Sequence, residues 1–195
     1  MNALAYALLS MLVRKPCTGY ELKELLEVFW QAKHSQIYPL LTKLQKDGLL
    51  TFERIEQSSK PDKKVYSITE KGLKVLKEWM FRPANPAVIR DEFLIKVYAL
   101  WLVDRQSAKV MFEERRAMYQ SKIRYREEQI QIMEKEFGDG VLDHTSRVFG
   151  RYLLFQRKLR QEEEEVSWCD WVMDILDKTN KTNQTNKTNQ TNKTI

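Results

Sequence analysis

Residues 35–49 read Ser-Gln-Ile-Tyr-Pro-Leu-Leu-Thr-Lys-Leu-Gln-Lys-Asp-Gly-Leu, a short helix with both ends marked. Ser35 suits an N-cap, and Gly48 suits a left-handed residue just past the end. Pro39 limits where the helix can begin. Deep inside it would delete a hydrogen bond and clash with the preceding turn, so it is expected in or near the first turn. At about 100° per residue, Ile37, Leu40, Leu41 and Leu44 share one face. Tyr38, Pro39, Thr42, Lys43 and Lys46 point the other way, with Gln36 and Gln45 on the flanks. The apolar face demands a core around it. The other face is short, polar and basic, with no acid before Asp47. Gln and Thr can reach base edges in a major groove, and Lys can meet phosphates. An ordinary solvated face has the same composition, so the flanking chain has to decide.

Upstream, residues 2–13 are rich in Ala and Leu and nearly free of charge, a helix that must be buried almost all round. Arg14-Lys15-Pro16 ends it. Thr18-Gly19-Tyr20-Glu21 is a capping-box pattern that opens a second helix running to about Trp30, with Leu22, Leu25, Leu26 and Phe29 inward. Downstream, residues 49–56 and 65–68 predict two strands joined by the charged turn 58–64, which carries Lys60, Lys63 and Lys64 around Pro61-Asp62. Thr69 then caps a fourth helix with Leu73, Leu76 and Met80 inward. Three helices, a hairpin and a helix form a winged helix-turn-helix order. There the third helix reads the major groove and the hairpin tip touches the flanking backbone.

These pieces resemble the PadR-like family of bacterial transcription regulators. The similarity is carried in order by Thr18-Gly19-Tyr20-Glu21-Leu22, by the run from Ser35 to Leu44, by Gly48-Leu49-Leu50 and by the run from Lys64 to Gly72. Where the family commonly has Gly-Thr-Leu-Tyr-Pro, this chain has Gln36-Ile37-Tyr38-Pro39 after Ser35, so base preference there need not follow other members. The family's wing often carries glycine, and the Pro61-Asp62 tip with three lysines implies a stiffer phosphate-contacting turn. On this reading Gln36, Tyr38 and Thr42 touch bases or sugars. Ser35, Lys43, Lys46, Lys60, Lys63 and Lys64 touch phosphates, and Pro39 belongs to the same surface.

Pro83-Ala84-Asn85-Pro86 reads as a linker, and residues 87–103 as a helix with Phe93, Leu94, Val97, Leu100 and Trp101 on one side. Residues 107–137 carry Phe112, Tyr119, Ile123, Ile130, Met133 and Phe137 as a narrow apolar stripe. A helix of that length spans about 45 Å and cannot bury its stripe alone. A further helical stretch carries Val148, Tyr152, Phe155 and Leu159. Larger members of the family use such helices for dimerisation, so the resemblance implies a homodimer through the C-terminal helices reading an inverted repeat in double-stranded DNA. It also implies a repressor released by a small aromatic effector. Tyr98, Trp101, Trp168 and Trp171 are the effector-binding candidates, although aromatic residues at helical positions also serve as plain packing.

Charge follows the same division. Residues 1–82 hold 14 Lys+Arg against 9 Asp+Glu, and residues 83–177 hold 15 against 18. A polyanion is therefore expected at the front. The expected fold is mainly α: a winged helix-turn-helix DNA-binding domain over 1–82 with a two-stranded wing, and a long-helix dimerisation and regulatory domain over 83–177. Residues 178–195, Thr-Asn-Lys and Thr-Asn-Gln triplets, are expected to be a disordered low-complexity tail. Cys17 and Cys169 lie apart with no metal-ligand spacing, and neither histidine completes a catalytic set, so no cofactor, metal or enzymatic activity is expected. No apolar run approaches a membrane span, which makes the expected location cytoplasmic. A winged-helix adaptor that binds protein through a coiled-coil scaffold is the alternative, and basic charge on the two DNA-facing elements argues against it.

Overall fold

The structure, a computed structural model, describes residues 1–56, 63–88 and 90–191, with side chains to Lys178. It divides into two units, Met1–Ala87 and Val88–Ile195. The first contains α1 (Ala3–Arg14), β1 (Cys17–Thr18), α2 (Gly19–Leu26), α3 (His34–Lys46), β2 (Leu50–Ile55), β3 (Lys63–Ile68) and α4 (Glu70–Met80). The second contains α5 (Glu92–Tyr98), a 3-10 turn at Leu100–Leu102, α6 (Arg105–Phe137), a second 3-10 turn at Gly138–Val141 and α7 (Phe149–Thr191).

Helix α1 is the hub of the first unit. Asn2 caps it by accepting from the Ala5 N–H at 3.0 Å, and Leu4, Ala5, Tyr6, Ala7, Leu8, Leu9 and Leu12 are all buried. Tyr6 stacks on Trp79 of α4, with ring centroids 4.6 Å apart, while Leu22, Leu26, Ile37, Leu41 and Leu44 close the core from α2 and α3. The Thr18–Glu21 capping box forms as the sequence reads: the Glu21 N–H donates to Thr18 Oγ1, and the Thr18 N–H donates to Glu21 Oε2. Helix α2, however, stops at Leu26 rather than near Trp30, and Phe29 is exposed rather than inward. Met80 is also exposed, because α4 turns Leu76 and Trp79 toward the core.

The sheet has three antiparallel strands in the order β1-β3-β2, where the sequence predicts two. The extra strand is the residue pair Cys17–Thr18, opposite Tyr66 and Val65. A two-residue strand has no periodicity to read; its backbone pairing alone creates it. Gly72 lets α4 approach the α3–β2 turn. A Cβ there would collide with the Leu49 carbonyl oxygen, which already accepts from the Thr69 N–H at 3.2 Å.

In the second unit α6 and α7 pack along their lengths, with Phe112, Ile130, Met133, Val148 and Phe155 buried. Three charged residues share this interior. Arg126 donates to both carboxylate oxygens of Glu162, at 3.3 and 3.0 Å, and Glu162 is 1% exposed. Arg115 donates to Glu165 at 2.9 Å and to Asp91 at 2.7 Å, with its guanidinium 4.3 Å from the Phe93 ring centre. Asp91 also caps α5 by accepting from the Phe93 N–H at 2.9 Å. The expected helix over 87–103 is therefore shorter. It begins only after the Asp91 cap and breaks at Ala99 into the 3-10 turn. At the other end the α7 backbone is helical to Thr191.

Gly72→Ala should lower unfolding free energy by about 2–3 kcal/mol in urea denaturation, as a methyl forced against a fixed carbonyl. The acid limb gives a second check. Hydrogen bonding from Arg115 holds the Asp91 carboxyl below its ordinary value. A depressed carboxylate contributes in full above the unfolded value of about 3.9, and its contribution is lost as pH falls through the lower folded value. Asp91→Asn should therefore flatten the fall in melting temperature between about pH 5 and pH 2.

Candidate nucleic-acid interface

Helix α3 divides as its sequence requires. Ile37 and Leu41 have no exposure and Leu44 has 1%, while Ser35, Gln36, Tyr38, Pro39, Thr42, Lys43 and Lys46 are all exposed. Its start differs from the expectation. The N-cap is Lys33, not Ser35, and no side chain caps the first turn; Gln36 instead reaches back and accepts from the Lys33 N–H at 3.0 Å. Pro39 therefore falls in the second turn, where it has no N–H to return to the Ser35 carbonyl. Thr42 is also engaged locally, its hydroxyl donating to the Tyr38 carbonyl at 3.1 Å.

The far end of α3 is fixed more firmly. Gly48 takes φ 70°, the Leu49 N–H donates to the Leu44 carbonyl at 2.9 Å and the Gly48 N–H to the Gln45 carbonyl at 3.0 Å, a Schellman ending. The start of α4 bonds to the same turn: Thr69 Oγ1 donates to the Gly48 carbonyl and Lys71 Nζ to the Asp47 carbonyl, both at 2.8 Å.

The wing adds cations in a definite register. Lys63 and Lys64 belong to β3 rather than to the turn, and Lys60 lies outside the described residues. Arg54 of β2 stands directly opposite Lys64, and both are exposed. Like charges facing across an antiparallel pair repel, so this arrangement costs stability unless an anion sits between or above them. Lys64 Nζ lies 4.4 Å from the centre of the Phe52 ring, which in turn packs against Tyr66. Lys63 stands opposite Ile55 and helps, after the Thr18 hydrogen bonds and Lys15, to hold the Glu21 carboxyl low.

Two features escaped the sequence reading. Arg54 sat in an unremarkable strand, and only its register against Lys64 marks it. The rings of Tyr20, His34 and Tyr38 stack in a row at the surface, joining the start of α2 to the start of α3. A glycine between a capping threonine and an aromatic was the available signal.

The effector candidates separate. Trp168 meets Phe93 and Phe112 edge to face and lines a cleft of about 210 Å³ with Leu94, Glu164 and Glu165. Tyr98, Trp101 and Trp171 stand 90%, 81% and 60% exposed. Both cysteines are buried, which pushes their thiols up. Among the described residues no group of side chains could hold a metal ion, and no helix is long and apolar enough to cross a membrane.

Arg54→Thr separates stability from binding. Relief of the repulsion should raise stability by about 0.2–1 kcal/mol in thermal unfolding. Affinity for duplex DNA should fall, with a salt slope shallower by about one. An unchanged slope would remove Arg54 from the contact surface.

Comparison with known proteins agrees with this geometry. Residues 8–78 match the transcriptional regulator PadR-like family, and residues 89–177 match the family described as virulence activator alpha C-term. The chain is 33% identical over 178 residues to the negative transcriptional regulator PadR of Bacillus subtilis (strain 168), covering 89% of this chain and 97% of that protein. The crystal structure of Bacillus subtilis PadR in complex with operator DNA aligns with a TM-score of 0.77 at 32% identity, covering 90% of this chain and 98% of that one. The complex of the same protein with p-coumaric acid aligns with a TM-score of 0.67 at 31% identity, covering 90% and 99%. The chain is thus a member of the PadR-like family of transcriptional regulators.

Proposed function

We propose that this chain is a cytoplasmic, homodimeric repressor that binds an inverted-repeat operator and is released by a small aromatic carboxylic acid. The observation that carries the reading is the exposed polar face of α3 together with the facing Arg54 and Lys64 of the wing, a like-charge pair that a phosphate backbone would relieve. On this surface Gln36, Tyr38, Pro39 and Thr42 meet the groove. Ser35, Lys43, Lys46, Lys60, Lys63, Lys64 and Arg54 meet phosphates. Gln36 spends Oε1 on the Lys33 N–H, so only a bidentate reading of a base edge requires it to give up that bond. Repression is supported by the relative's name as a negative regulator, and effector release by its structure with p-coumaric acid.

The dimer is supported by the segment around α5. Neither α5 nor its 3-10 turn buries any residue, and Ile95, Tyr98, Trp101 and Leu102 are 65–90% exposed. An apolar strip of that kind calls for a cover, and a second copy supplies one symmetrically. Trp168, with its cleft and the nearby Arg115 cluster, is the better effector candidate; Tyr98, Trp101 and Trp171 suit the seam. The domain limits 1–82, 83–177 and 178–195 are part of the same proposal.

The test is a gel shift with the DNA upstream of the chain's own gene, titrated with salt and nonspecific competitor. A shift should survive competitor, weaken steeply with salt and footprint as half-sites about one or two helical turns apart. p-Coumaric acid should dissolve it. No competitor-resistant shift on any fragment of the source genome would refute the reading.

A further inference from the structure

The Tyr20–His34–Tyr38 row has features that core packing does not explain. Its centroids are 6.2 and 5.9 Å apart and its planes lie within 20° and 21° of parallel. Yet Tyr20 is 58% and Tyr38 46% exposed, so the stack lies at the surface and hides little apolar area. The His34 Nδ1 atom is buried without a hydrogen-bond partner. A histidine placed for hydrogen bonding would satisfy that nitrogen. Here the ring is used for its flat faces.

What the stack holds is the start of α3. Tyr20 is the second residue of α2, His34 the first of α3, and Tyr38 lies one turn further along the same helix. At Lys33 helix α3 lacks the hydrogen bond that Thr18 gives α2 and Thr69 gives α4, and its first turn is tied instead by the Gln36 bond to the Lys33 N–H. Beneath the stack lies Gly19, where a Cβ would come within 2.8 Å of Tyr38 Cε1. The Tyr38 ring therefore leans on bare α2 backbone. Its phenol also reaches the neighbourhood of Tyr66 on β3, adding to the burial that pushes that phenol up. The stacked rings thus connect the start of α2 to the start of α3.

We propose that Tyr20 and His34 are positioning residues for sequence recognition: the three-ring stack on Gly19 anchors the start of α3 to α2 and fixes the direction in which the first turns of α3 meet DNA. This rests on the DNA-binding reading above. Backbone affinity comes from the lysines and Arg54 and does not depend on the stack. Discrimination between base sequences does, because a small swing of the helix misplaces its side chains over the groove floor.

The experiment measures the affinity of the full-length protein for operator and scrambled duplexes at several salt concentrations, alongside thermal melting. Tyr20→Leu and His34→Leu keep apolar volume but lose the flat ring, and His34→Phe keeps the ring but loses both nitrogens. Each leucine variant should cut the operator-to-scrambled ratio by about tenfold, the scale of one lost base-pair match, with the salt slope unchanged. His34→Phe should retain the wild-type ratio. The proposal is overturned if the leucine variants discriminate like wild type, if ratio and salt slope fall together, or if His34→Phe fails as His34→Leu does, which would put the imidazole nitrogens on the DNA. A wild-type protein that cannot tell operator from scrambled DNA overturns the DNA reading and this proposal with it. A wild type that discriminates, with variants that match it, overturns this proposal alone.

Discussion

Burial of Ile37, Leu41 and Leu44 against α1 and α2 is the constraint on which the first unit depends. Those three side chains are almost wholly withdrawn from water, and each contributes on the order of 2 kcal/mol to folding. They also fix the rotation of α3 about its own axis. Once they point inward, the polar residues between them must point outward, while Leu40 packs at the core's edge, so the exposed face is a by-product of the core. A helix lying on a leucine-rich hub can change outer residues such as Lys43 and Lys46 without disturbing the fold. That separation suits a protein whose partner sequence must vary while its scaffold does not.

The second unit solves a different problem. Its helices α6 and α7 run side by side for many turns, and a purely apolar stripe would let them slide by a turn at little cost. The Arg126–Glu162 pair opposes such a slip, because a displaced register would leave two buried charges unmatched. Arg115 adds a third element by holding Asp91, and through it the first turn of α5, against the same pair of helices. Buried charge here sets alignment, while the aromatic cluster of Phe93, Phe112 and Trp168 supplies the packing.

Much of this was legible in the residues. The near absence of charge in residues 2–13 announced the buried hub, Thr18 and Glu21 announced their capping box, and the polar face of α3 announced the candidate interface. What escaped depends on partners distant in sequence. The strand at Cys17–Thr18 exists because Tyr66 and Val65 are beside it, and nothing local marks it. Ser35 looked like a cap, yet α3 starts at His34, with Lys33 in the cap position and the Gln36 side chain bonding back to the Lys33 N–H. Nothing local marks Arg115, Arg126 and Glu162 as buried, since burial of a charge is decided by its counter-charge some 36 to 50 residues away. The facing of Arg54 and Lys64 needs strand register, which alternation alone leaves open.

On the proposed DNA-binding reading, the local bond of Thr42 has a chemical consequence for the groove. Its only hydroxyl proton is directed to the Tyr38 carbonyl, which leaves oxygen lone pairs as the side chain's outward offering. While that bond holds, Thr42 can receive a proton but cannot supply one. In a major groove only the exocyclic amines of adenine and cytosine answer that need, whereas the oxygens of guanine and thymine do not. In that reading, a helix turn that satisfies its own threonine biases the hydroxyl's hydrogen bonding among bases and leaves its methyl free for thymine.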